Sequence, residues 1–212
     1  MADFKLYRHL LSGHSHRVQV FLSLLGLDAQ IIDVNLAKGE HKTQQYLQKN
    51  IFSQVPVLEI LDEGKEVILA DSNAILVYLA SRYDSARRWL PEDLDKAVEI
   101  QRFLSIAAGK VLYGAGNARL VNLFGAALDH EYAKNLANAI FIQIEKHLEG
   151  KDWLVGSHAT IADVANYTYI ALAPEGGVSL ERFVNIKNWL KRFEDLDGFV
   201  AMKSSPVGLN AH

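Results

Sequence analysis

The chain has 212 residues, half of them apolar, no cysteine and a formal net charge of −3. That length supports one large or two small cores, and a weak net charge without a basic block argues against nucleic acid as a main partner. The missing cysteine excludes a disulfide framework, a cysteine-based zinc site and a catalytic thiol. Sulfur chemistry, if the protein performs any, must use the sulfur of a ligand. No run of 18 apolar residues marks a spanning helix. The opening Met1-Ala2-Asp3-Phe4-Lys5 lacks the basic and apolar regions of a secretion signal, so the cytoplasm is the expected location.

In chain order, 5–9 reads as a first strand containing Leu6 and Tyr7, followed by a turn through Leu10, Leu11, Ser12, Gly13 and His14. Val18, Phe21, Leu22 and Leu25 then recur at helical spacing and Gly26 is a stop signal. A second strand is expected at 30–34. Two strands joined by so short a helical connection imply a parallel βαβ unit. The polar stretch 38–50 suits a short helix or irregular chain. Gln54-Val55-Pro56 leads into two β-rich runs, 57–61 and 67–70, separated by the turn Asp62-Glu63-Gly64-Lys65, which predicts a hairpin. Asp71-Ser72 opens a helix over 73–83, with Ser72 as the expected N-cap. Ile75 offers no capping-box partner, which leaves first-turn N–H groups to attract an anion.

Beyond the polar, proline-containing stretch 84–91 strand signals nearly vanish. A long helical region spans 94–123, and Gly109, Gly114 and Gly116 within it predict a bend or a close approach. Helices are also expected at 132–148, from a capping box at Thr160-Ile161-Ala162-Asp163, and at 185–193. The fold class is therefore an α/β domain of βαβ-α-ββα order over 1–83, a linker at 84–91 and an all-helical domain over 92–212.

Several spaced motifs together resemble the cytosolic glutathione S-transferases of the serine type. They are Ser12-Gly13-His14-Ser15-His16-Arg17-Val18, Glu40-His41-Lys42, Gln54-Val55-Pro56, Asp71-Ser72 and Thr160 to Asp163. Two departures bear on subfamily rather than fold: Asn50-Ile51 stands where many members have Asn-Pro, and Val184-Asn185 where a proline often precedes the last helix. The resemblance implies that the first domain is thioredoxin-like and binds glutathione. It also implies a cis Val55-Pro56 bond, with Val55 presenting its backbone to the ligand like an added strand.

On this reading Ser12 stabilises the glutathione thiolate at a helix N-terminus. Tyr7 is the rival for that role and Ser15 the rival for the helix cap. Ser72, Asp71 and Gln54 suit the γ-glutamyl end, His41 and Lys42 the glycyl end. Leu10, Leu11 and Tyr113 are candidates for an apolar electrophile pocket between the domains. His14 and His16 lack the partners of a metal site, and no metal is expected. The implied function is transfer of glutathione to hydrophobic electrophiles, a detoxification chemistry. The alternatives are glutathione-dependent peroxidase, isomerase or dehalogenase activity, or a non-catalytic binding protein on the same fold. A homodimer is expected, with Phe52 reaching into the partner.

Overall fold

A computed structural model describes residues 2–205. The described residues separate into two compact units, 2–85 with 197–203, and 86–196 with 204–205.

The first unit contains a four-stranded mixed sheet, in the order β2-β1-β3-β4. Its strands are β1 (Asp3–Arg8), β2 (Ala29–Asp33), β3 (Val57–Asp62) and β4 (Lys65–Ala70). β1 and β2 run parallel around α1 (Gly13–Leu24), while β3 is antiparallel to both β1 and β4. A 3-10 turn (Glu40–Lys42) and the four-residue α2 (Gln44–Leu47) precede β3, and α3 (Ser72–Tyr83) follows β4. This is the thioredoxin-like βαβ-α-ββα order. Strand alternation assigns the two faces. Phe4 and Leu6 on β1 stand opposite Ile60 and Leu58 on β3, and all four are buried. Helices α1 and α3 pack on one another and on β1 and β4. The other parity, Tyr7, Val57 and Ala70, packs with Val34 and with Tyr46 of α2. The segment Asp197–Lys203 groups with this unit, where the Val200 carbonyl meets His16 Nε2 at 2.7 Å.

The second unit is helical among its described residues. It comprises α4 (Leu94–Ile106), a π-helical segment (Ala107–Gly116), α5 (Asn117–Phe124), α6 (His130–His147), α7 (Ile161–Ala171) and α8 (Val184–Glu194). The glycine-rich region does interrupt the long helix, and the interruption takes the form of π-helical turns. Packing within it is closest at Gly114. A Cβ on Gly114 would lie 2.7 Å from the Ala137 backbone N and 2.9 Å from its Cα, so α6 approaches too closely for any side chain there. Helix α7 is buried along almost its whole length and starts at the expected capping box. Thr160 N–H donates to Asp163 Oδ2 at 2.8 Å, while Leu154 N–H and Trp189 Nε1–H donate to Oδ1 at 3.0 and 2.9 Å. Burial raises the Asp163 pKa, and these donors oppose the rise by stabilising the carboxylate.

The two central glycines should separate in thermal melts. Gly114→Ala forces the contact with Ala137 and should cost about 1–3 kcal/mol. Gly109, where an added methyl would meet nothing within 4 Å, should gain about 0.5–1 kcal/mol on substitution by Ala. Equal melting temperatures for the two variants would contradict this account of the π-helical segment.

Candidate functional site

Val57 pairs with Tyr7 on one side and Ala70 on the other. This register brings three connections to one end of the sheet: the turn after β1, the loop before β3 and the start of α3. They carry the candidate residues of the first unit other than Tyr7, on β1 itself, and the His41-Lys42 turn, which Ser53 Oγ–H ties in by donating to the His41 carbonyl at 2.7 Å.

Ser12 is the N-cap of α1. Its backbone is extended, and its Oγ accepts the Ser15 N–H at 3.2 Å. A hydroxyl that caps a helix uses a lone pair, so its single proton stays available for an acceptor outside the helix. Ser12 is partly exposed, at the positive end of the helix. Ser15, the rival cap, is the third helical residue; it is buried, and its Oγ accepts the His9 N–H at 3.2 Å. Tyr7 is committed elsewhere. Its phenol donates to Glu59 Oε2 at 2.9 Å, Glu59 is ion-paired with Lys49, and the Lys49 ammonium sits 5.0 Å from the Tyr7 ring centroid. Burial, and after it the Glu59 carboxylate, raise the Tyr7 pKa.

At the start of α3 the structure corrects the expected cap. Asp71, not Ser72, is the N-cap, with Oδ1 accepting the Ala74 N–H at 2.9 Å. Asp ranks with Ser as a capping residue, and the chain turns out of β4 at Asp71, whose φ is 69°. Such a conformation is costly for a non-glycine residue and is concentrated at functional sites in folded proteins. Ser72 becomes the first helical residue, only 3% exposed. Its Oγ accepts from Arg17 Nη1 at 2.8 Å and lies 3.0 Å from His14 Nδ1. The same Nη1 donates to Asn73 Oδ1 at 2.7 Å. Arg17 is fully buried.

Burial lowers the His14 pKa to about 3, and the neighbouring Arg17 charge acts in the same direction. Burial also lowers His16 to about 4, opposed by its hydrogen bond to the Val200 carbonyl. Both imidazoles are therefore neutral at neutral pH. Among the described residues no three or more His, Asp or Glu side chains form a group suited to a metal ion.

The Val55-Pro56 peptide bond is cis. The Gln54 carbonyl accepts from Tyr46 Oη at 2.9 Å and from Asn50 Nδ2 at 3.0 Å. The Val55 side chain packs against the Val34, Tyr46 and Val57 cluster, while its N–H and C=O make no hydrogen bond among the described residues. Lys42 is exposed, and His41 Nδ1 is buried without a hydrogen-bond partner among the described residues. Leu10 and Leu11 are half-buried in the turn after β1. In the second unit, Tyr113 is 57% exposed on the π-helical segment. Sequence pattern alone assigns no roles to Arg17, Tyr46 and Asn50. For Arg17 a signal was present, since it lies one helical turn before Phe21 on a face that is otherwise apolar.

Two family models match the chain: the glutathione S-transferase N-terminal domain over residues 2–81 and the C-terminal domain over 119–197. The chain belongs to the glutathione S-transferase family. It is 31% identical to maleylacetoacetate isomerase of Pseudomonas aeruginosa over 190 residues, covering 86% of this chain and 87% of that protein. It is 29% identical to glutathione S-transferase theta-2 of Rattus norvegicus over 199 residues, or 90% of this chain and 80% of that one. A solved glutathione S-transferase from Pseudomonas fluorescens superposes with a TM-score of 0.86 at 28% identity, covering 95% of this chain and 99% of the other.

The lowered pKa values of half-buried His14 and buried His16 should make the fold sensitive to acid. In the unfolded chain each takes a proton as pH falls through about 6.5, whereas in the fold each stays neutral until pH 3–4. The unfolded state thus binds more protons in that window, and stability falls as pH is lowered. The loss at pH 4.5 should approach about 2–3 kcal/mol per imidazole. Urea unfolding followed by circular dichroism at pH 7 and 4.5 should show a smaller loss for His16→Gln, and an unchanged loss would refute the assignment.

Proposed function

We propose that this chain is a glutathione transferase that binds glutathione on its first unit and ionises the thiol with Ser12. The carrying observation is the Ser12 hydroxyl. It caps α1 through a lone pair, is accessible, and keeps a proton to donate. A thiol with pKa ~8.5 is mostly protonated at neutral pH. Lowering it by about two units requires about 2.7 kcal/mol of preference for the thiolate. A hydroxyl donor to an ion supplies roughly 1.5–3 kcal/mol, and the helix terminus adds up to ~1. The thiolate then attacks the electrophilic centre of an apolar substrate, forming a carbon–sulfur bond as a leaving group or a π-electron pair departs. The pairing of Tyr7 with Glu59 supports Ser12 over the phenol.

The remaining contacts follow the charges of the tripeptide. The γ-glutamyl end meets Ser72, Asp71 and Gln54, and the glycyl carboxylate meets Lys42 and His41. The unbonded backbone of Val55, beside Pro56, pairs with the cysteinyl residue as a strand would. Leu10 and Leu11, next to Ser12, supply apolar surface for the electrophile. A cytoplasmic setting, where glutathione holds thiols reduced, suits this chemistry. Isomerisation is a second reading, favoured by the 31% identity to the Pseudomonas aeruginosa isomerase; it would use the same thiolate, adding to and then leaving a cis double bond. A homodimer is part of the proposal. Ile51 and Phe52 are 76% and 74% exposed on one loop, and an apolar pair so placed suits burial by a second copy.

Ser12→Ala should raise the pH at which bound glutathione shows thiolate absorbance by about two units, while affinity stays nearly intact through the carboxylate anchors. Tyr7→Phe is the control, and a shift seen there instead of in Ser12→Ala would transfer the role to the tyrosine. A panel of halo-aromatic, peroxide and cis-enone substrates separates transferase, peroxidase and isomerase activity.

Phe52→Ala should weaken self-association in sedimentation without lowering the melting temperature of the isolated chain. A parent protein that sediments as a monomer at micromolar concentration would remove the dimer from the proposal.

A further inference from the structure

Resting on the reading of Ser72 as a contact for the γ-glutamyl carboxylate, we infer that Arg17 is a positioning residue for that carboxylate, acting through Ser72 and Asn73. Arg17 leaves the second turn of α1 and places Nη1 at the first turn of α3, 2.8 Å from Ser72 Oγ and 2.7 Å from Asn73 Oδ1. It does so while fully buried. Taking a guanidinium out of water costs several kcal/mol, and a neutral amide would donate to the same two oxygens at far lower cost. The feature particular to arginine is its permanent charge, held where the positive end of α3 already favours an anion.

The protons assign the direction of the network. Nη1 also stands 3.4 Å from His14 Nδ1. A ring nitrogen facing a cation presents its lone pair, so Nδ1 is the acceptor and the His14 proton resides on Nε2. Ser72 Oγ accepts from Arg17, which leaves its one proton to donate, and without a ligand that proton goes to His14 Nδ1 at 3.0 Å. An arriving carboxylate is a stronger acceptor than a neutral imidazole and takes the proton by rotation of the hydroxyl. Arg17 strengthens the new bond in two ways: its charge favours the anion, and its hydrogen bond to Oγ polarises the O–H that donates. His14 then holds the serine proton between ligands, and Asn73 fixes the guanidinium at the helix start.

The test compares glutathione with an analogue lacking only the γ-glutamyl α-carboxylate, by calorimetric titration of the full chain. Arg17→Met should weaken glutathione about tenfold or more while changing the analogue by less than about threefold, which collapses the preference between them. Arg17→Lys, which keeps the charge, should restore most of that preference. Asn73→Asp keeps the core volume and sets a carboxylate beside Nη1, cancelling its charge. It should reproduce the collapse with an unchanged circular dichroism spectrum, and it decides alone if Arg17→Met does not fold. Equal weakening of both ligands, or no weakening of either, overturns the role of Arg17, because a purely structural residue has no means of singling out one carboxylate. Ser72→Ala separates the underlying reading: if it binds both ligands as the parent does, Ser72 is not the anchor, whatever Arg17 does.

Discussion

The pairing of Val57 with both Tyr7 and Ala70 is the constraint on which the candidate site depends. It places β3 between β1 and β4, and so brings to one sheet end two helix N-termini and the loop with the cis peptide. Each helix start supplies oriented N–H groups and a positive partial charge. Neither alone defines a ligand. Together with the Val55 backbone, which makes no hydrogen bond among the described residues, they form the site proposed above for glutathione.

The connections at that end are held by side chains from α1, from α2 and from Asn50 just beyond it. The Gln54 carbonyl takes donors from Tyr46 and Asn50, which fixes the peptide plane before Val55. Tyr7, Glu59 and Lys49 form a charged cluster on the same parity of the sheet as Val57. That cluster occupies the hydroxyl of the tyrosine near the end of β1. The phenol proton already has a carboxylate to serve, and burial makes its loss harder.

In the second unit, rigidity comes from close backbone approach and from one buried carboxylate. Gly114 admits α6 to van der Waals contact, and Asp163 gathers backbone N–H groups and the Trp189 indole around the start of α7. A carboxylate buried this completely is tolerable because several donors converge on its two oxygens.

Local pattern made much of this legible in the sequence. The order of strands and helices, the hairpin after Pro56, the glycine interruption and the box from Thr160 to Asp163 each rest on residues near one another in the chain. Periodicity, turn chemistry and capping are short-range physics. The Ser12 cap was legible for the same reason, although Ser15 stood equally near. The tertiary structure decided what depends on neighbours distant in sequence: that Asp71 rather than Ser72 caps α3, that Ser15 and Ser72 are buried, that Tyr7 belongs to Glu59, and that residues 197–203 return to α1. Above all it decided the place of Arg17. A charged residue on a mostly apolar helix has no assignable partner until another helix, 55 residues further on, brings Ser72 to its guanidinium.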